Sequence, residues 1–198
     1  MLRDLSPSNT SVPRLVVGIT GGSGIPYALD LLETLSQLNL HPHLIVSSGA
    51  RRVHTTEGRG NAEDLERHAY QVYDEMDIGA SIASGSFRTL GMVIVPCSSS
   101  TLAKVAHGLG DDLISRAAHV TLKERRPLIL VPREAPYPRP MLENMLKAHD
   151  AGASILPASP GFYHAPDDAK DLLGFLSARV LDQFGIESGK MRRWEGDS

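Results

Sequence analysis

Cysteine is almost missing from this chain. Cys97 is the only one, which excludes an internal disulfide and a cysteine metal cluster within one chain. No apolar run approaches the length of a membrane span. The opening residues 1–13 are polar and lack the apolar core of a secretory signal, so a cytoplasmic protein with no membrane partner is expected. An excess of one charge is lacking too. The net charge of −3 gives no reason to expect nucleic-acid binding. Two phosphate-binding signatures are also missing. The third glycine position of a G-x-G-x-x-G fingerprint beginning at Gly22 is Tyr27, and no G-K-[ST] follows the first glycines.

What is present is a chain of 198 residues, 41% hydrophobic and 22% charged. That is the composition of one globular domain with a substantial core. We read 1–198 as a single domain, with an extension over 1–13 and a tail over 187–198. Five short apolar runs recur at 15–20, 44–47, 92–96, 128–132 and 154–157. They are nearly continuous in apolar character, as strands buried on both faces of a parallel sheet are. Helical patterns at 25–38, 111–125, 140–149 and 167–184 separate them. The order predicts a doubly wound, mainly parallel α/β fold, a three-layer sandwich. A polar insert covers 57–88, with a helix-compatible centre at 63–77 and a loop at 80–86. His41 and His43 can share one face of a strand, but no third ligand is near in sequence, so a polar strand entry is favoured over a metal.

Ligands of open parallel sheets bind beyond the carboxyl ends of the strands. Here those ends read TGGSG (20–24), SSGAR (47–51), PCSSST (96–101), PRE (132–134) and PASPGFY (157–163). Glycines admit close backbone approach, hydroxyls bond phosphate oxygens, and helix N-termini favour anions. Together they predict a site for a phosphorylated ligand with a planar group. Ser47, Ser48 and Arg51 can hold a 2′-phosphate, which keeps an NADP enzyme as an alternative. The single phosphate of FMN suits the pattern better. Further cations need another explanation. Arg116 and Lys123 are seven residues apart on one helix face. Arg133 follows a strand and Arg179 lies on the last helix. Each taken singly reads as a solvated charge. Together with Tyr163 they can form a second phosphate site, beside which Glu57 and Glu134 can serve as acid and base.

The strings TGGSG, ASGSF, PCSSST, LKERRPLILVPREAPY, LENM and PASPGFYH occur in this order. They resemble the UbiX-type flavin prenyltransferases, from about residue 15 to 194. The resemblance implies a flavodoxin-like fold, a homo-dodecamer with active sites at subunit junctions, and metal-independent chemistry. It implies transfer of a dimethylallyl group from dimethylallyl monophosphate to N5 and C6 of reduced FMN. The prenylated FMN would then serve UbiD-type decarboxylases. By matched position, Gly21, Gly22, Ser23, Ser47, Ser98, Ser99, Ser100, Thr101 and Arg133 would hold FMN. Ser23 would lie near N5, and Ser23, Glu57, Glu134 and Lys123 would be catalytic. Arg116, Lys123, Tyr163 and Arg179 would hold the donor phosphate, and Trp194 would face the prenyl group.

Three departures stand out. Ser48 replaces the usual lysine, the glycine loop reads GGSG where GASG is common, and Ile78 stands where some members carry tryptophan. Two rival readings remain. One is a cysteine-decarboxylating flavoprotein, but its PASANT and PxMNxxMW segments are not matched at 96–101 and 140–147. The other is a flavin carrier without catalysis, which the matched glutamates and cations oppose.

Overall fold

Every residue of β1 (Leu15–Ile19) is buried, because its two faces feed two different cores. Leu15, Val17 and Ile19 join Leu31, Leu32 and Leu35 of α1 (Ile25–Gln37) on one side. Val16 joins Met92 and Ile94 on the other. A strand with two apolar faces has no polar side to alternate with, which is why its sequence reads as a continuous run.

The computed structural model describes residues 13–57, 60–163 and 165–191. After α1 come β2 (His43–Val46), α2 (Ser48–Glu57), α3 (Ala62–Glu66) and β3 (Gln71–Tyr73). A 3-10 turn (Ser81–Ala83) leads to β4 (Gly91–Cys97), α4 (Ser99–His107) and α5 (Leu113–Lys123). Then follow β5 (Leu128–Pro132), α6 (Arg139–Asp150), β6 (Ser154–Ile155) and α7 (Ala169–Asp182). The sheet order is β3-β2-β1-β4-β5-β6, and every pairing is parallel. Without the edge strand β3 this is the flavodoxin order. Residues of α1, α3 and α7 help cover one face, and those of α4, α5 and α6 the other.

The insert departs from expectation. Residues 63–77 are not one helix: α3 ends at Glu66, and Gln71–Tyr73 pairs with β2 as a sixth strand. Val72 packs on one core and Tyr73 on the other, a period-two use of side chains that only a strand allows. Of the strand end expected at 47–51, residues 48–51 instead open α2, a helix in which only Ala50 and His54 are buried. At the junction of α4 and α5, Asp112 caps α5 by accepting the Ser115 N–H at 2.8 Å and takes Lys104 Nζ at 2.7 Å. The H-x-H pair is structural. His43 is buried, and its Nδ1 lies 2.8 Å from the Tyr73 hydroxyl. No cluster of three His, Cys, Asp or Glu able to hold a metal occurs among the described residues.

Candidate functional site

The sheet order reverses between β1 and β4. The chain leaves the two strands in opposite directions there and opens a crevice at their carboxyl ends. Thr20 ties the crevice together. Its hydroxyl donates to the Pro96 carbonyl at 2.7 Å and accepts the Ser98 N–H at 2.7 Å. On the other side, the loops after β1 and β2 touch through backbone alone. A Cβ on Gly21 would meet the Gly49 carbonyl carbon and Cα at 3.2 Å, and one on Gly49 would meet Gly21 Cα at 3.3 Å. The wall of the crevice is therefore peptide, with room for a flat or phosphorylated group to approach closely.

The N-terminus of α1 opens into this crevice. Gly24 sits at its N-cap with φ +116° and has no side chain to cap with. Glu57, the last residue of α2, supplies the cap from elsewhere. Its Oε2 accepts the Gly24 N–H at 2.9 Å and the Ile25 N–H at 3.4 Å. Burial pushes the Glu57 carboxyl up, but the Gly24 N–H, the Ser23 hydroxyl, the Ile25 N–H and the Arg133 charge together hold it below its ordinary value. Arg133 Nε donates to the Ser23 carbonyl at 3.4 Å. Ser23, Glu57 and Arg133 thus meet at one helix terminus, and Glu57 is ionised at neutral pH.

A depressed carboxyl makes stability pH-dependent. The stabilisation from Glu57 is complete above its ordinary value of 4.5 and is lost as pH falls through the lower folded value. The Tm gap between wild type and Glu57→Gln should be constant above about pH 4.5 and should narrow as the pH falls below it. A gap in Tm that does not change with pH would refute this.

The hydroxyl run divides into two pairs. Ser98 is the N-cap of α4, accepting the Thr101 N–H at 3.3 Å and lying 3.0 Å from its hydroxyl. Thr101 is buried, whereas Ser99 and Ser100 are exposed at the first turn of α4, where an anion is favoured. Ser47 caps α2 in the same way, its Oγ accepting the Ala50 N–H at 3.0 Å. The neighbouring Ser48 N–H is taken by Glu75 at 2.9 Å, and Arg51 pairs with Glu66 at 2.6 Å. A 2′-phosphate would meet the Glu75 carboxylate there, so the NADP reading fails. Thr20 and Glu75 were not singled out from the sequence. A buried β-branched hydroxyl ending a strand is the signal for Thr20; nothing local marks Glu75.

The remaining predicted residues are spread over both ends of β5 and α7. Glu134 follows Arg133 at the carboxyl end of β5; it is exposed, and its Oε1 accepts the Ala135 N–H at 3.1 Å. Lys123 lies at the opposite end of β5, paired with Glu124 beside Gly85. Arg126 marks that end, donating to the Gly85 and Phe87 carbonyls at 2.7 and 2.8 Å, just before β4 begins. Five strand residues separate the two ends, about 16 Å. Arg116 is exposed on α5, two turns before Lys123. Tyr163 and Arg179 form a third group. The Tyr163 ring meets Phe175 edge-on at 5.6 Å, one turn before Arg179, whose Nη1 bonds Asp182 at 2.8 Å. Ile78 is exposed in the insert. Trp194 and the extension over 1–12 lie outside the described residues.

The comparisons with known proteins agree with this geometry. Residues 4–180 match the Flavoprotein family. The chain is 62% identical over 193 residues to the flavin prenyltransferase UbiX of Deinococcus radiodurans, covering 98% of this chain and 99% of that one. A crystal structure of AnUbiX (PadA1), in complex with FMN and dimethylallyl pyrophosphate, superposes with a TM-score of 0.92 at 40% identity, covering 95% of this chain and 100% of that one. A dodecameric FMN-dependent UbiX-like protein from Escherichia coli O157:H7 superposes with a TM-score of 0.89 at 43% identity, covering 92% and 100%. Likeness at this level spans both the crevice and the outlying cations, and on it the chain belongs to the UbiX family of flavin prenyltransferases.

Proposed function

We propose that this chain transfers a dimethylallyl group from dimethylallyl monophosphate to N5 and then C6 of reduced FMN. The observation that carries the proposal is the convergence of Ser23, Glu57 and Arg133 on the glycine crevice between β1 and β4. FMN is a substrate here, and its fit rests on three features. The Gly21–Gly49 contact leaves a backbone wall. Ser99 and Ser100 stand exposed at a helix N-terminus that favours a phosphate. Arg133 adds a cation at the same end of the sheet.

In the reaction, the allylic C–O bond breaks and its electron pair leaves with phosphate. A bond forms between the allylic carbon and N5 as the N5 proton leaves; the prenyl C=C then takes up a proton, its tertiary carbon bonds to C6, and the C6 proton departs as the fourth ring closes. Negative charge builds on the departing phosphate, where Lys123, Arg116, Arg179 and the Tyr163 phenol stabilise it. Glu134, exposed and at the strand end, gives a proton to the phosphate. Glu57, held ionised, takes the proton released on ring closure. Trp194 would offer a π face to the cationic allyl group. No metal is required.

A single chain cannot bring Lys123 to Glu134, because β5 stands between them. The site therefore forms at junctions between copies, and a dodecamer like that of the Escherichia coli relative is the proposed assembly. The product is passed to a UbiD-type decarboxylase. No described helix is long and apolar enough to cross a membrane, and we place the enzyme in the cytoplasm.

The test is anaerobic incubation with reduced FMN and dimethylallyl monophosphate, and separately with the diphosphate, followed by mass spectrometry. A flavin heavier by one prenyl unit is expected with the monophosphate. Turnover with the diphosphate alone would overturn the donor assignment. Unmodified flavin in both arms, with both ligands bound, would overturn the enzyme reading.

A further inference from the structure

His54 sits on α2 one turn before Glu57 and is 1% exposed. Nδ1 has no hydrogen-bond partner among the described residues, and Nε2 has none in good hydrogen-bond geometry. A buried imidazole left in that state is unfavourable, so its nearest polar neighbour matters. That neighbour is Asp64 of α3, whose Oδ2 lies 3.5 Å from His54 Nε2. Asp64 is itself fixed by a reciprocal cap. Its Oδ2 accepts the Asn61 N–H at 2.9 Å, and its own N–H donates to Asn61 Oδ1 at 3.3 Å.

Gly60 threads between the two side chains. A Cβ there would fall 2.2 Å from Asp64 Oδ2 and 2.8 Å from His54 Nε2. A larger residue there would push the Asp64 carboxylate away from the buried imidazole. Gly60 is three residues beyond Glu57 in the sequence. Ala50 of α2 and Leu65 of α3 are both fully buried in the core that includes α1. The two helices therefore rest on the helix whose N-terminus Glu57 caps. Arg51 and Glu66 also join α2 to α3, and Arg67 approaches Asp64 at 3.9 Å. Arg51–Glu66 is half-buried and Arg67 is exposed; ion pairs open to solvent on one side are screened and hold little. The imidazole is buried and keeps its geometry.

We propose that His54 is a positioning residue. Its Nε2–H, donated to Asp64, clasps α3 to α2 and keeps the Glu57 carboxylate on the amides of Gly24 and Ile25. The proposal rests on the catalytic reading of Glu57, and the experiment separates the two.

The experiment uses the full chain with reduced FMN and dimethylallyl monophosphate. It compares kcat, the KM for the donor and FMN affinity by flavin fluorescence in His54→Leu, His54→Gln and Gly60→Ala. His54→Leu removes the donor. Gly60→Ala leaves both groups intact and wedges them apart. Each should lower kcat about tenfold while donor KM and FMN affinity stay within about twofold. His54→Gln, whose amide nitrogen reaches the place of Nε2, should recover most of kcat. If His54→Leu fails to fold, Gly60→Ala and Asp64→Asn carry the same test. Wild-type kcat in Gly60→Ala, or a loss that glutamine does not recover, overturns the clasp. Glu57→Gln runs alongside. Full activity in that variant overturns the reading of Glu57. A slow Glu57→Gln beside a fully active His54→Leu overturns the clasp alone.

Discussion

Glu57→Gln should lower prenyl transfer about 100-fold or more, the range that a positioned acid or base supplies. FMN affinity should stay within about threefold of wild type, since a neutral hydrogen-bonded isostere changes binding little. The two expectations differ because the two jobs of Glu57 use different properties. Capping α1 needs only an oxygen acceptor, and a glutamine carbonyl can still take the Gly24 N–H that Oε2 now accepts at 2.9 Å. Taking a proton needs the ionised carboxylate. The Gly24 and Ile25 amides, the Ser23 hydroxyl and Arg133 keep it ionised against the cost of burial. A carboxyl held ionised suits the proposed role of proton acceptor. Single-turnover measurement of prenylated flavin, with FMN titrations beside it, checks this. Unchanged turnover would refute the role, and loss of FMN binding would make Glu57 a structural cap only.

Lys123→Ala and Glu134→Ala should each be nearly inactive alone, yet regain activity when mixed. Lys123 lies at the amino end of β5 with Glu124 and Gly85, and Glu134 follows its carboxyl end. One rigid strand of about 16 Å separates them, and no side-chain rotation closes that gap. If each site takes Lys123 from one copy and Glu134 from another, random reassembly gives about a quarter of the sites both intact residues. The two purified variants would be dissociated, mixed and reassembled, and prenyl transfer compared with each variant treated alone. Recovery to a substantial fraction of wild type is expected. Mixtures as inactive as their components would show that both residues serve a site within one chain, and would overturn the junction site.

The strands were legible because burial on both faces leaves a continuous apolar run, and 128–132 was read to the residue. β3 was not legible. It is three residues long at the sheet edge, with Gln71 exposed and Val72 and Tyr73 half-buried, so it carries neither a full apolar run nor a clean alternation. α2 escaped because only Ala50 and His54 are buried, too few to mark a helical stripe. At the site, the glycine and serine strings were legible because a strand end followed by glycine and hydroxyl residues has local causes. The cap on Gly24 was not. Its partner is 33 residues away, and only the packing of α2 on α1 brings it near.

The parallel α/β order, the glycine and hydroxyl strand ends, and the inventory of cations and carboxylates are readable along the chain. Each of these follows from local composition and spacing. The tertiary structure alone decided which groups meet. It joined Ser23, Glu57 and Arg133 at one helix terminus, turned Arg51 and Ser48 to carboxylate partners, and set Lys123 and Glu134 at opposite ends of a strand. The physical reason is that a charge acts through space. Its partners are set by how helices pack and where strands end, and residue spacing along the chain does not encode that distance.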